Sequence, residues 1–150
     1  PLETYPDCKE GNAIGCWEKN VEDFYFPYVL PQETGNHEDT RWAAFVTEAG
    51  NGICIASDKE FSFGALHYTQ ENLTQATHTN ELHRTENIQL SVDYAQHGLG
   101  SASWGAECLE KDKLYPEPFT FTWKIFGIGK ESLAERAEQY RRKKVRLPLF

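Results

Sequence analysis

The feature that most constrains this chain is a strict alternation: Ile88, Leu90, Val92 and Tyr94 are apolar, and Gln89, Ser91 and Asp93 between them are polar. Successive side chains of an extended strand point to opposite faces, so a period of two predicts a strand with one buried and one wet face. The pattern recurs where Phe119, Phe121, Trp123 and Ile125 alternate with Thr120, Thr122 and Lys124. Pro116 and Pro118 precede that run, where proline is tolerated because it removes no ladder hydrogen bond. On this reading the odd-numbered side chains of the second segment face the core. Upstream, Thr40 to Thr47 and Gly52 to Ala56 are β-rich runs separated by Glu48-Ala49-Gly50-Asn51-Gly52, a composition that supplies the positive φ a reversal needs and predicts a hairpin. Phe61 to Tyr68 is a third strand. Some five short strands at close intervals predict an all-β class, an antiparallel β-sandwich.

Helices are few. Thr69 to Ala76 loses the period of two and offers Thr69 as a cap, which predicts a short helix near 69–76. From Lys130 onward Leu133, Ala137 and Tyr140 fall at helical spacing, and Ser132-Leu133-Ala134-Glu135 reads as a capping box, so a C-terminal helix is expected near 130–144. Its basic end, Arg141-Arg142-Lys143-Lys144, suits the negative pole of the helix dipole. The aromatic run Phe24-Tyr25-Phe26-Pro27-Tyr28-Val29, followed by Pro31, cannot sit inside a helix and predicts an extended arm or edge strand over Val21 to Leu30. These elements divide into a sandwich domain over 1–128 and a helical extension over 129–150.

Charge and composition narrow the function. A net charge of −8 repels a phosphate backbone, so nucleic acid is a poor partner despite the basic run near the C-terminus. No stretch approaches the ~18 apolar residues of a membrane span, and the first ten residues lack the basic, apolar and small-residue succession of a signal peptide. A soluble, cytoplasmic domain without a membrane partner is therefore expected. Cys8, Cys16, Cys54 and Cys108 form no CxxC pair, which favours reduced thiols over a zinc ribbon. The absence of methionine, with Pro1 as first residue, suggests a piece cut from a longer chain.

Metal and catalytic signatures are missing. His78-Thr79-Asn80-Glu81-Leu82-His83 superficially matches a zinc-protease helix, but its histidines are five apart and that motif needs four. His37, His67 and His97 add no ligand spacing, and no metal site is expected. Asp93 with Glu107 could be imagined as a glycosidase pair, though such pairs depend on a separation that spacing in sequence does not give. Asn72-Leu73-Thr74 matches a glycosylation acceptor, without an export signal to give it meaning. No catalytic residue is assigned.

What remains is Gly98-Leu99-Gly100-Ser101-Ala102-Ser103-Trp104-Gly105, directly after the best strand. Gly98, Gly100 and Gly105 allow the backbone to fold tightly around one large aromatic. An indole on a loop held by a rigid sheet can stack on the apolar face of a pyranose, while hydroxyls such as that of Ser103 meet the sugar's polar groups. Trp104 could equally fill the core beneath the loop. Trp17, Trp42 and Trp123, lying on arm or strand patterns, are read as core.

This segment follows Ser91-Val92-Asp93-Tyr94, and upstream stand Tyr28-Val29-Leu30-Pro31-Gln32-Glu33-Thr34-Gly35 and Thr40-Arg41-Trp42. With the opening Pro1-Leu2-Glu3-Thr4-Tyr5-Pro6-Asp7 and the stretch Tyr68-Thr69-Gln70-Glu71-Asn72-Leu73, then His78 and Glu81-Leu82, the chain resembles the C-terminal, small-chain domain of bacterial-type β-galactosidases of glycoside hydrolase family 2. The resemblance spans Pro1 to Phe126. It implies half of a galactose-mutarotase-like supersandwich, in a parent whose catalytic glutamates, magnesium and sodium lie on a separate barrel, so this piece would hold no cofactor and be inactive alone. It implies that Trp104 meets the leaving-group or acceptor sugar, with Ser103 a weaker contact. The implied partners are the enzyme's other domains or large subunit and a galactoside, in an oligomeric parent. Cys8 departs from the arginine usual there, and the helix beyond Lys130 extends past the usual end. Two other functions fit a sugar-facing sandwich: a stand-alone carbohydrate-binding module, or a mutarotase-like epimerase with a His and Glu in one pocket.

Overall fold

The reversal expected at Glu48 to Gly52 joins the first two strands in the computed structural model, which describes residues 3–100, 105, 107–129 and 133–142. β1 (His37–Val46) and β2 (Gly52–Leu66) flank it. Gly50 takes φ 81° and its N–H donates to the Thr47 carbonyl at 2.8 Å, while the Thr47 N–H donates to the Asn51 carbonyl at 2.8 Å. Glycine adopts that left-handed conformation without the clash a Cβ would bring.

β2 is longer than the sequence pattern implies. The runs Gly52–Ala56 and Phe61–Tyr68 join in one strand of 15 residues ending at Leu66. Asp58, Lys59 and Glu60 interrupt the apolar pattern but stay extended and exposed. The Lys59 N–H donates to Ser57 Oγ at 3.3 Å, and Arg41 pairs with Glu60 at 3.5 Å. β1 pairs with β2. The last residues of β2 pair antiparallel with β3 (Gln89–Asp93), Ser62 opposite Asp93 and Leu66 opposite Gln89. Its first residues pair antiparallel with β4 (Trp123–Ile128), Gly52 opposite Ile128 and Ser57 opposite Trp123. The described chain is thus all-β in class, mostly antiparallel, with a few short helices.

Two compact units divide the chain, residues 1–38 with 62–116 and residues 39–61 with 117–150. In the first, Phe24, Leu66 and Leu73 are buried, and Tyr25, Phe63, Tyr68 and Leu82 pack against them. The Phe24 ring lies 5.9 Å from Phe63 and 5.0 Å from His37 between centroids, with the Lys19 ammonium 4.0 Å from its centre. Burial holds the His37 imidazole below the usual histidine range. The arm expected over Val21 to Leu30 opens with a 3-10 turn, Val21–Phe24, because Phe24 is drawn into this core. α1 (Gln70–Gln75) forms where expected, and Thr69 Oγ1 accepts the Asn72 N–H at 3.1 Å as its cap.

The N-terminal arm is stitched to this unit by buried polar groups. The Thr4 N–H donates to the Asn36 carbonyl at 2.7 Å, Asn36 Nδ2 returns a bond to the Thr4 carbonyl at 3.0 Å, and Thr4 Oγ1 accepts the Glu38 N–H at 2.8 Å. Ser62 Oγ, on β2, donates to Asn36 Oδ1 at 3.3 Å. Glu3 accepts from the Gly35 N–H at 2.9 Å, from Tyr5 at 3.3 Å and from Tyr28. The bond to Glu3 pushes the Tyr28 hydroxyl up to about 12, since losing its proton would set two negative oxygens face to face.

In the second unit Cys54, Ile128 and Ala137 are buried with Trp42, Ala44, Phe126 and Leu133 around them, so α2 (Leu133–Arg142) packs through Leu133 and Ala137. Ser132 of the expected capping box, with Lys130, Glu131 and the end of the expected helix, lies outside the described residues. The strand expected over Phe119 to Ile125 is displaced to Trp123–Ile128, and its faces are reversed. Phe126 and Ile128 point to the core and Ile125 is 56% exposed. Both parities of this segment are apolar, and the helix covers the even one. Trp123 is accordingly 45% exposed and not core; Trp17, on the arm, is 68% exposed because nothing described in its unit covers it, while Trp42 packs as expected.

Replacing Asn36 by Ala removes both partners of the Thr4–Ser62 stitch and leaves buried groups unpaired, so the urea midpoint should fall by the equivalent of about 2–3 kcal/mol. The exposed change Gln75→Ala should stay within about 0.5 kcal/mol, which the same melts would check.

Candidate functional site

The segment singled out by its glycines begins five residues after the end of β3, in the first unit. Gly98, Leu99, Gly100 and Gly105 are described; Ser103 and Trp104, the two residues expected to meet a sugar, lie outside the described residues. Gly100 takes φ 98° and Gly105 takes φ 83°, in the region that favours glycine. Gly98 is needed for space: a Cβ there would lie 2.9 Å from Cys108 Cβ, 3.0 Å from Asp7 Oδ2 and 3.1 Å from Asp112 Cβ.

Those three neighbours are also what holds the stems of the loop. The Gly98 N–H donates to the Asp112 carbonyl at 2.8 Å, which ties the outgoing stem to the short 3-10 turn Glu110–Asp112 on the returning one. His97 Nδ1–H donates to the Gly98 carbonyl at 2.7 Å; since that nitrogen carries the proton, its 3.6 Å contact with Cys108 Sγ makes the buried sulfur a weak second acceptor. On the returning stem Lys113 reaches Glu107 at 2.9 Å and Glu110 at 3.2 Å, and the Tyr115 hydroxyl donates to Glu110 at 2.6 Å. Asp7 completes the set. Its Oδ1 accepts the Leu99 N–H at 3.1 Å and its Oδ2 the Gly100 N–H at 2.7 Å. Slight burial pushes the Asp7 carboxyl up, but the Gly100 and Leu99 bonds, with His97 nearby, outweigh it and hold the group below the usual aspartate range. Asp7 was visible in the sequence only as part of the opening motif. Its partners stand 92 and 93 residues away, beyond the reach of spacing or periodicity.

The other candidates serve structure. Glu81, between His78 and His83, accepts the Thr77 N–H at 2.7 Å and the His78 N–H at 3.2 Å, which lowers its carboxyl to about 2. His67 Nδ1 bonds the Thr85 carbonyl at 3.0 Å, and His37 Nδ1 the Gly35 carbonyl at 2.8 Å. Asp93 accepts from Gln96 at 3.0 Å, with burial raising its carboxyl, whereas Glu107 is exposed and lowered by Lys113. Among the described residues no group of three or more His, Cys, Asp and Glu could hold a metal ion, and no helix is long and apolar enough to cross a membrane. Cavities of about 360 and 200 Å³ open elsewhere, the first lined by Leu30 to Glu33 and Leu73 to Thr77 without Gln75, the second by Val21, Glu22, Tyr25, His67, Tyr68 and Arg84. Neither includes the glycine loop.

An aspartate bound in this way grips the loop at neutral pH. With its pKa depressed in the folded chain, the stabilisation is complete above the unfolded value and is lost as pH falls through the folded one. A carboxyl-carbon NMR titration should therefore place the Asp7 midpoint below the ordinary 3.8, with the Leu99 and Gly100 amide signals moving at the same pH.

Comparison with known proteins gives the family. A family model described as β-galactosidase small chain matches residues 1–125. The β-galactosidase BgaC of Bifidobacterium adolescentis is 37% identical over 118 residues, 76% of this chain and 11% of that protein. A β-galactosidase of Staphylococcus xylosus is 31% identical over 125 residues, 83% of this chain and 12% of its own length. One from Streptococcus thermophilus is 37% identical over 106 residues, 69% of this chain and 10% of its own. The chain thus spans roughly a ninth of the curated relatives it matches, and it belongs to the β-galactosidase small-chain family.

Proposed function

We propose that this chain is the C-terminal domain, or part of the small subunit, of a cytoplasmic retaining β-galactosidase that hydrolyses terminal β-galactosides such as lactose. The observation that carries the reading is the family match over residues 1–125 in a chain that corresponds to 10–12% of three enzymes named β-galactosidase. In this reading the bond-breaking glutamates and the magnesium and sodium ions belong to the remaining domains or large subunit. Trp104 lies against the leaving-group or acceptor sugar, with Ser103 beside it, and raises affinity there without entering the chemistry. The enzyme's other domains are the chain's partners, and the parent is oligomeric.

A second feature supports a larger assembly. On the paired strands β2 and β4, Ile53 is 39%, Trp123 45% and Ile125 56% exposed. Neighbouring large apolar side chains on one sheet are seldom left to water, and the missing domains would cover them.

The isolated chain should turn over neither lactose nor nitrophenyl galactoside, while the full-length protein hydrolyses both. In that protein Trp104→Phe should raise the KM for glucose as galactosyl acceptor about fivefold, the ratio equivalent to ~1 kcal/mol of stacking. Unaltered acceptor kinetics would remove Trp104 from the subsite. Tight, Trp104-dependent binding of lactose by the isolated chain would instead identify a free-standing binding module.

A further inference from the structure

We propose that Asp7 is the positioning residue of the loop assigned above to sugar contact, a two-pronged carboxylate that fixes the backbone at Leu99 and Gly100, the residues that precede the segment carrying Trp104 in the chain. The inference rests on the reading of Trp104 given above for its functional consequence, and on the stem geometry for its physical basis.

Both oxygens of Asp7 are used, and on consecutive amides: Oδ1 on Leu99 and Oδ2 on Gly100. Two successive N–H groups thus meet one anion, and the chain continues through Gly100 at φ 98°, a left-handed conformation that glycine adopts without a Cβ clash. Bonds to a charged acceptor are about twice as strong as neutral ones, so this pair outweighs the single neutral bond from Gly98 to Asp112. Leu99 is 64% exposed and gives the stem little hydrophobic anchorage. The absence of a side chain at Gly98 is part of the same device, because a Cβ there would sit 3.0 Å from Asp7 Oδ2.

Asp7 is itself delivered by a rigid support. Tyr5 and Thr4 are buried, Thr4 is held by Asn36 and Glu38, and the Cys8 N–H closes a turn on the Tyr5 carbonyl at 3.0 Å around Pro6 and Asp7. The chain therefore runs from a buried polar stitch through a tight turn to the loop stem. A carboxylate on a flexible arm would give binding without position; this one transmits the placement of the core to the loop.

The test uses the full-length protein with Asp7→Ala, Asp7→Asn, Trp104→Phe and the double variant Asp7→Ala/Trp104→Phe. Hydrogen exchange at Leu99 and Gly100 should quicken at least about tenfold in Asp7→Ala, and less in Asp7→Asn, which keeps one acceptor oxygen. The KM for glucose as acceptor should rise about fivefold in Asp7→Ala, with kcat changing less, and the double variant should be no worse than Trp104→Phe alone because both changes disable one element. Unchanged exchange at the two amides, or losses that add in the double variant, would overturn the role of Asp7. If Trp104→Phe leaves acceptor kinetics untouched while exchange at the two amides still depends on Asp7, the reading of Trp104 fails and the grip on the stem stands.

Discussion

The arrangement of the first unit depends on one buried amide. Asn36 donates to the Thr4 carbonyl and to Glu38 and accepts from Ser62, so a single side chain ties the N-terminal arm, the approach to β1 and the last part of β2. None of these groups could be buried unpaired without a cost of about 1–3 kcal/mol each. Satisfied together, they specify one placement of the arm where hydrophobic packing would tolerate several. The arm carries Asp7 three residues beyond Thr4, so the hold on Thr4 bears on where Asp7 meets Leu99 and Gly100.

Much of the fold is legible residue by residue, and the exceptions share a cause. The alternation at Ile88 to Tyr94 gives β3, Thr69 gives the cap of α1, and Gly50 gives the reversal between β1 and β2, because each is a local instruction with one physical solution. β4 fails on face. Phe119, Phe121, Trp123 and Ile125 are apolar on one parity and Phe126 and Ile128 on the other, so period two says that a strand exists but not which side is covered. The decision belongs to Leu133 and Ala137 of α2, a tertiary partner that no local pattern contains. The continuity of β2 is hidden for a related reason: Asp58, Lys59 and Glu60 look like a break in composition, while the hydrogen bond to Ser57 and the pair with Arg41 keep the backbone extended.

The candidate site divides along the same line. Glycines at 98, 100 and 105 announce a tight loop by composition alone, since a positive φ and a space too small for a Cβ both demand glycine. What holds the loop is not legible, because Asp7 lies 93 residues from Gly100 and one aspartate among many acidic residues carries no signal. Trp104 and Ser103 stand out by residue type, and the role proposed for them rests on the family resemblance.

In the role proposed for this loop, reach and order conflict. Burying its stem in apolar contacts would fix it but would draw it back toward its own core; leaving it free would make every binding event carry the entropy of ordering it. A carboxylate bound to two backbone amides avoids both outcomes. It anchors the stem through groups that must be hydrogen-bonded anyway and leaves Leu99 exposed. Charge rather than packing is then the means of holding this stem, and the carboxyl's depressed pKa extends that charge to more acidic pH than an ordinary aspartate would allow.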